Sequence, residues 1–429
     1  MRNRKNLTTK IFISMLLGLI FGLVLKSFPN TFIKDTIFLN GIIKVLGDGF
    51  LAIIKMMVVP LVLISLTCGA SSMGNVNKLG RIGFKTFIFY VSTTCVAITI
   101  AICIAFLINP GVGLDMSHLV SEMPVISETK SFSELLLSII PLNPFKSMVE
   151  GEMLQIIFFS ILLGLSISLV GEKAKVFKEF FESANEVVMK MVQVVMNLAP
   201  FGVFALITNT FATTGFDAMI PLFKYMSVIL IALLIHGLFI YGGMFKLFTG
   251  LNVKPFLKRF IKPASIVFST ASSNAALPVT LDTMDDMGVS NSISSFTIPL
   301  GSTINMDGTA IMQGAAAIFI AQIYGIDLSI STIITIILTA TLASIGTAGV
   351  PGVGMVMLSM VLQSVGLPIE GIGLILGVDR ILDMCRSTLN TMGDCICTMI
   401  IAKSENSFNE DKYYSVDNTI IDNSEVLPS

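Results

Sequence analysis

The chain predicts an all-α membrane protein, and three observations lead to that class. First, 54% of its 429 residues are hydrophobic and only 13% are charged, about half the charged share of an ordinary soluble domain. Second, apolar runs recur along the first 250 positions, and several exceed the ~20 residues a helix needs to cross a bilayer. Third, Asp379, Arg380, Asp383, Arg386 and Asp394 fall within sixteen residues, between the apolar stretches ILG and CICTMIIA. At about 100° per residue, Asp379, Asp383, Arg386, Ser387, Asn390 and Asp394 share one helical face about 100° wide. Setting five charges against lipid would cost roughly 3 kcal/mol each, on the order of 15 kcal/mol in all. The stripe is therefore expected to line a cavity holding water or ions.

The remaining composition excludes other classes. A net charge of −1 gives no electrostatic footprint for nucleic acid. Cys68, Cys95, Cys103, Cys385, Cys395 and Cys397 all lie in apolar segments, which argues against a disulfide framework, and the C-x-C pair Cys395 and Cys397 reads as small buried hydrophobes. His118 and His236 are solitary and read as structural or loop residues. Tryptophan is absent, so an interfacial aromatic belt would rest on Tyr and Phe.

Taken in order, hydropathy predicts helices near 8–28, 38–73, 82–109, 133–170, 180–212 and 219–248. The first follows MRNRKNLTTK and could imitate a signal peptide. No small-x-small cleavage site follows it and more spans come after, so it reads as a first transmembrane helix. Basic residues cluster at the N-terminus (Arg2, Arg4, Lys5, Lys10), between helices two and three (Lys78, Arg81, Lys85), between four and five (Lys173, Lys175, Lys178) and at Lys246–Lys262. The alternate connections hold fewer, so the positive-inside rule places the N-terminus and even-numbered connections in the cytoplasm. The tail after Lys403 is polar and is expected to be disordered on that same side.

Beyond about position 260 the apolar segments shorten. ASSNAALP (271–278) and SIGTAGVPG (344–352) are small-residue clusters ending in proline, about seventy residues apart. Each sits between arms too short to span and is followed by a helix broken by polar residues. Either the small residues permit close helix packing, or the clusters are tips of paired re-entrant hairpins whose bare backbone faces a ligand. In NMDGT (305–309), Asn305 and Asp307 lie mid-span beside Gly308, which invites an unwound turn. A carboxylate there needs a cation, and oxygen donors suit an alkali or alkaline-earth ion. Asp394 offers a second such carboxylate. Arg386 presents a planar fork for a ligand carboxylate. Asp383, one turn earlier, either neutralises Arg386 or binds a ligand ammonium.

The segments SSNAALPVT, SFTIPLGSTINMDGTA, ASIGTAGVPGVGM and DRILDMCRSTLNTMGD, in this order over roughly 265–403, resemble the dicarboxylate/amino acid:cation symporter family. KMMVVPLV (55–62) extends the likeness into the first half. The resemblance implies eight transmembrane helices plus two re-entrant helical hairpins with inverted repeats, assembled as a homotrimer in the cell membrane with both termini cytoplasmic. It implies scaffold helices over 1–255, of which the third and sixth move with the transport core, the core itself over 256–403, and a polar tail over 404–429. The hairpin tips would be Ser272–Ala276 and Ser344–Gly352.

By the same resemblance Arg386 would hold the substrate side-chain carboxylate and Asp383 the ammonium. Asn390, Ser387 and Thr309 would bind the α-carboxylate region, helped by Ser272, Ser273, Val350 and Gly354. Sodium would bind at three places: among Gly301, Asn305, Asn390 and Asp394; at Thr303, Ser344, Ile345 and Thr347; and at Tyr90, Thr93, Thr94, Asn305 and Asp307. No cofactor is implied beyond the coupling ion. The chain departs from the family at Ala271 and Met384, where archaeal and vertebrate members respectively carry an arginine. Arg380 offers a substitute charge. Gln313 replaces the glutamate of proton-coupled vertebrate members, and Ser387 replaces a commoner threonine. The expected activity is sodium-coupled symport of L-aspartate or L-glutamate by an elevator-type movement, with a proton-coupled or C4-dicarboxylate carrier as the alternative. An intramembrane aspartyl protease is disfavoured by the missing GxGD and GxSG signatures. A stoichiometric carrier fits the charge-paired tips better than an anion channel.

Overall fold

The computed structural model describes residues 7–29, 31–71, 78–114, 137, 139–213, 215–345, 349 and 352–421. Among these every regular element is helical, with one isolated antiparallel bridge between Val289 and Phe408. The outer elements are α1 (Leu7–Ser27), α2 (Lys44–Ser71, entered through a π-helical stretch Ile33–Ile43), α4 (Pro144–Glu150), α5 (Met153–Val170), α6 (Lys175–Met196) and α7 (Ala199–Thr213). Between α2 and α4 runs α3 (Lys78–Ile108). Next come α8 (Met219–Ile235), a π-helical turn His236–Tyr241, and α9 (Gly242–Thr249). The rest comprises α10 (Val253–Thr270), α11 (Ser273–Asp286), α12 (Asn291–Ile304), α13 (Asp307–Ile323), α14 (Ile330–Ser344), α15 (Val353–Ser364), α16 (Ile372–Ser404) and α17 (Glu410–Ile421).

Two expected helices divide. The fourth is split by Gly151 at φ 74°, after a short α4 whose N-terminal amides at Phe145 and Lys146 are capped by the Asn143 side chain. The fifth breaks at Asn197–Leu198, ahead of Pro200 in the first turn of α7, where proline costs a helix nothing. Among the described residues, six segments are long and apolar enough to cross a membrane. The apolar run of α5 and α6 counts as one because only a tight turn at Gly171 separates them. The 33-residue α16 drops out because its charges lower its hydropathy.

The packing falls into two groups. α1, α2, α5, α6 and α7 lie against one another and turn large apolar side chains outward, among them Leu17, Ile20, Leu169 and Phe201, as lipid-facing helices do. The tightest contact, α1 on α7, runs over Gly18 and Gly22: a Cβ on Gly22 would stand 2.7 Å from the Thr208 carbonyl oxygen, the close approach that a GxxxG face permits. The second group surrounds α13, which is buried on all sides and touches α3, α8, α14, α15 and α16. In this group α10 packs on α11 and α14 on α15, and α10, α11 and α15 each touch α16.

The tail differs from its expectation. Its first part docks rather than staying free, through Lys412 to Asp285 at 3.0 Å, the Tyr413 carbonyl accepting from Arg259 at 2.8 Å, and Tyr413 Oη donating to the Asn252 carbonyl at 2.7 Å. Tyr413 is fully buried. A polar segment thus finds enough backbone and side-chain partners on α10 and α11 to offset its ordering entropy.

Candidate substrate and ion site

The charged stripe is one face of α16, and the whole of it is buried. Asp379 and Asp383 are 8% exposed, Arg386 1%, Ser387 8%, Asn390 3% and Asp394 2%. Arg386 is held by two carboxylates of its own helix, with Nη1 at 2.6 Å from Asp379 Oδ1 and Nη2 at 2.9 Å from Asp383 Oδ1. The internal Asp383–Arg386 pair is therefore formed. Asp379 pairs with Arg386 because seven residues make two turns and return to the same face. Arg380 lies 3.6 Å from Asp383 and donates to the Thr270 carbonyl at 3.4 Å, which puts its charge beside the first tip.

The two tips meet above this face. α10 ends in Ala271, held at φ 52°, and Ser272 caps α11 with its side chain on Ala275 N. The turn sits at Ala271–Ser272, so the expected tip Ser272–Ala276 is already mostly helix. Ser272 Oγ donates to the Gly349 carbonyl of the second tip at 2.7 Å. Ser273 lies 3.2 Å from Thr391, a residue of α16 that the sequence did not single out. At the start of α15, a Cβ on Gly354 would meet Thr309 at 3.4 Å and Arg386 Nη2 at 3.5 Å. Arg386, Thr309 and Gly354 are thus neighbours. Thr347 and Val350 lie outside the described residues, as does His118.

A second cluster lies about two turns along α16. The unwound turn between α12 and α13 is at Asn305–Met306 rather than at Gly308, with Asn305 at φ −87°, ψ 98°. Gly308 is helical. It is glycine because a Cβ there would stand 2.7 Å from the Arg386 carbonyl oxygen. Asn305 Nδ2 donates to the Asn390 carbonyl at 2.8 Å and to Asp394 Oδ1 at 2.9 Å, while Asn390 Oδ1 accepts from Gly308 N at 2.7 Å. Asn390 is thereby committed to backbone and to Met306 sulfur. Thr303 hydrogen-bonds within its own helix, and Ser344 Oγ donates to the Ile304 carbonyl at 2.5 Å, with Ile345 beyond it.

Asp307 is fully buried. Its Oδ1 accepts from Thr94 Oγ1 at 2.5 Å, and its Oδ2 from Tyr241 Oη at 2.7 Å and from His236 Nε2 at 3.0 Å. His236 is not the solitary structural residue expected. An ideal α-helix sets residues 236 and 241 about 140° apart; the π-helical turn brings both to one carboxylate, as such turns often do at functional sites. No spacing rule points to this pair, because sequence does not announce a π turn. Thr93 bonds the Tyr90 carbonyl. The Tyr90 hydroxyl, expected beside Asp307, lies instead with Asp394: a Cβ on Gly301 would stand 2.5 Å from both Tyr90 Oη and Asp394 Oδ1. Tyr90 Oη is buried and makes no hydrogen bond among the described residues.

Four broken or paired helices thus converge their polar groups on one charged helix, the arrangement of a secondary carrier. The match to known families agrees with it, spanning residues 7–404 of the sodium:dicarboxylate symporter family. The chain belongs to that family. It is a multi-pass membrane transporter, not an enzyme. A proton/sodium-glutamate symport protein of Bacillus caldotenax is 39% identical over 413 residues, 95% of this chain and 96% of the relative. A proton/glutamate-aspartate symporter of Escherichia coli (strain K12) is 39% identical over 432 residues, 98% of each. A C4-dicarboxylate transport protein of Bacillus subtilis (strain 168) is 35% identical over 416 residues, 95% of this chain and 96% of the relative.

Proposed function

We propose that this transporter is a sodium-coupled symporter of L-aspartate or L-glutamate in the cell membrane. The observation that carries the reading is the contrast along one face of α16 between a charge-paired Arg386 and a buried Asp394–Asp307 cluster with no lysine or arginine among its hydrogen-bond partners in the described residues. Arg386 gives up its hold on Asp383 to a substrate side-chain carboxylate, and Asp383 takes the substrate ammonium. An amino acid thus restores both ion pairs, whereas a dicarboxylate lacking an ammonium would face the Asp383 charge unpaired. Thr309, Ser387, Asn390, Ser272, Ser273, Val350 and Gly354 surround the α-carboxylate.

Sodium is the second substrate. Asp394, Tyr90 Oη and the carbonyls about Gly301, Asn305 and Asn390 are hard oxygen donors, which fit an alkali cation. Thr94 and Asp307, with Thr93 and Asn305, offer another such group. The carbonyls of Thr303 at the end of α12, of Ser344 and Ile345 at the end of α14, and of Thr347 would offer a third. The paired helices α10–α11 and α14–α15 act as re-entrant hairpins in an eight-span, trimeric, elevator-type carrier. The termini are cytoplasmic by the positive-inside rule. Proton coupling is a second reading, favoured by the contact of His236 with Asp307 and by the names of the relatives.

Uptake of labelled L-aspartate into proteoliposomes, with sodium and pH varied separately and succinate as competitor, tests the reading. Sodium-dependent uptake that succinate does not inhibit is expected. Uptake indifferent to sodium and driven by a pH gradient alone would replace sodium by the proton.

A further inference from the structure

One enclosed ionic contact outside both clusters ties two of the site-bearing helices together. Glu405 caps the C-terminus of α16, its amide bonding the Ile401 carbonyl. Its side chain is only 2% exposed. One oxygen accepts from Lys85 Nζ at 2.7 Å and the other pairs with Arg81, both from the first turns of α3. Lys85 also reaches Ser404 Oγ at 3.2 Å. The start of α3 thus lies against the end of α16, so the two helices run antiparallel.

The next level at which they meet is the cation cluster, where Tyr90 Oη and Asp394 Oδ1 flank Gly301. At 1.5 Å rise per residue, Glu405 stands ~16 Å from Asp394 along its helix, and Arg81 stands ~14 Å from Tyr90. The two spans match to within about half a turn, so sliding α3 at its basic start moves Tyr90 past Asp394 by the same amount. Thr94, one turn further along α3, moves with it against Asp307.

We infer that Glu405 is a positioning residue for cation binding: by gripping Arg81 and Lys85 it sets the axial register of α3 on α16, and so brings Tyr90 and Thr94 to Asp394 and Asp307. The inference rests on the sodium-coupled reading above. An ion pair exposed on all sides would carry little. Here the carboxylate is covered while Arg81 and Lys85 stay 63% and 40% exposed, and removing its charge leaves the two cations facing one another at a helix junction.

The test compares the wild type, Glu405→Gln, Glu405→Asp and a charge reversal (Glu405→Arg with Arg81→Glu and Lys85→Glu) in proteoliposomes. Sodium half-saturation and aspartate KM at saturating sodium are both measured. Glu405→Gln should raise the sodium half-saturation roughly threefold or more, a coupling change of ordinary size for a residue distant from the ligand. Aspartate KM at saturating sodium should change far less. Glu405→Asp should fall between wild type and Glu405→Gln, and the charge reversal should recover most of the sodium affinity. A Glu405→Gln protein with wild-type sodium half-saturation overturns the inference. So does an equal rise in both constants, or a folded charge reversal without recovery. If Glu405→Gln fails to fold, Glu405→Asp and the reversal decide by the same criteria. Wild-type uptake without sodium overturns the functional reading and this inference with it. Sodium-dependent wild type with unmoved variants overturns the positioning role alone.

Discussion

Two polar clusters lie about two turns apart on α16, and their charges are balanced differently. Around Arg386 the formal charges cancel, with Asp379 and Asp383 facing Arg386 and Arg380. Around Asp394 and Asp307 they do not, since those carboxylates accept from amide, hydroxyl and imidazole groups while being 2% and 0% exposed. A carboxylate so buried is costly without a compensating positive charge. The first cluster is therefore suited to exchange its own partners for a ligand of the same charge pattern. The second is suited to a small cation that comes and goes. On the proposed reading, this difference is what couples the two substrates, since Asn390 and Gly308 join the clusters directly.

The largest expected effect breaks the first cluster. Arg386→Ala should abolish uptake of acidic amino acids, and it should lower stability by about 3–5 kcal/mol because buried Asp379 loses the cation it pairs with and Asp383 keeps only Arg380. Labelled uptake and thermal unfolding in detergent read both, and wild-type aspartate affinity in this variant would remove the assignment. Next, Asp394→Asn should raise the sodium requirement by roughly tenfold, about 1.4 kcal/mol, with a smaller change in aspartate KM at saturating sodium. A change in aspartate KM alone would mean the clusters are not separate in function. A finer test is Gly301→Ala, whose added methyl must displace Asp394 or Tyr90. It should weaken sodium dependence several-fold while leaving the Arg386 pairs unaltered, and unchanged sodium dependence would detach Gly301 from the cation site.

The smallest effect lies outside both clusters. Hydrogen bonds from Lys85 and Arg81 hold the Glu405 carboxyl below its ordinary range. Its contribution is therefore present above the ordinary carboxylate pKa, about 4.3, and is lost as pH falls through the lowered folded value. The stability difference between wild type and Glu405→Gln should stay flat from neutral pH down to that range and shrink below it. A difference that already fades between pH 7 and 6 would show that another group carries it.

Much of the fold was legible because hydropathy and charge act locally. The apolar runs, the interrupted second half and the one-sided stripe on α16 all follow from composition and helical period. The breaks were harder. Asn197 lies inside a largely apolar run, where a period cannot reveal a change of direction, and the polar residues about Gly151 did not outweigh the apolar stretches on either side. Of the site, the residues of α16 and of NMDGT were readable as charges in an apolar setting. His236 and Tyr241 were not, because a π-helical turn rather than their spacing brings them to Asp307. Tyr90 was expected beside Asp307 and its hydroxyl stands near Asp394, since sequence fixes which face of α3 it occupies but not the register of α3 on α16. The docking of the tail was equally hidden, because polar composition does not show which carbonyls will meet Arg259.

The most direct test of the central contrast is aspartate binding to the purified protein, titrated calorimetrically at several sodium concentrations and constant pH. If the Asp394–Asp307 cluster takes sodium with the substrate, aspartate affinity should rise steeply with sodium, by more than tenfold for each tenfold increase below saturation. An affinity that does not change with sodium would contradict the account.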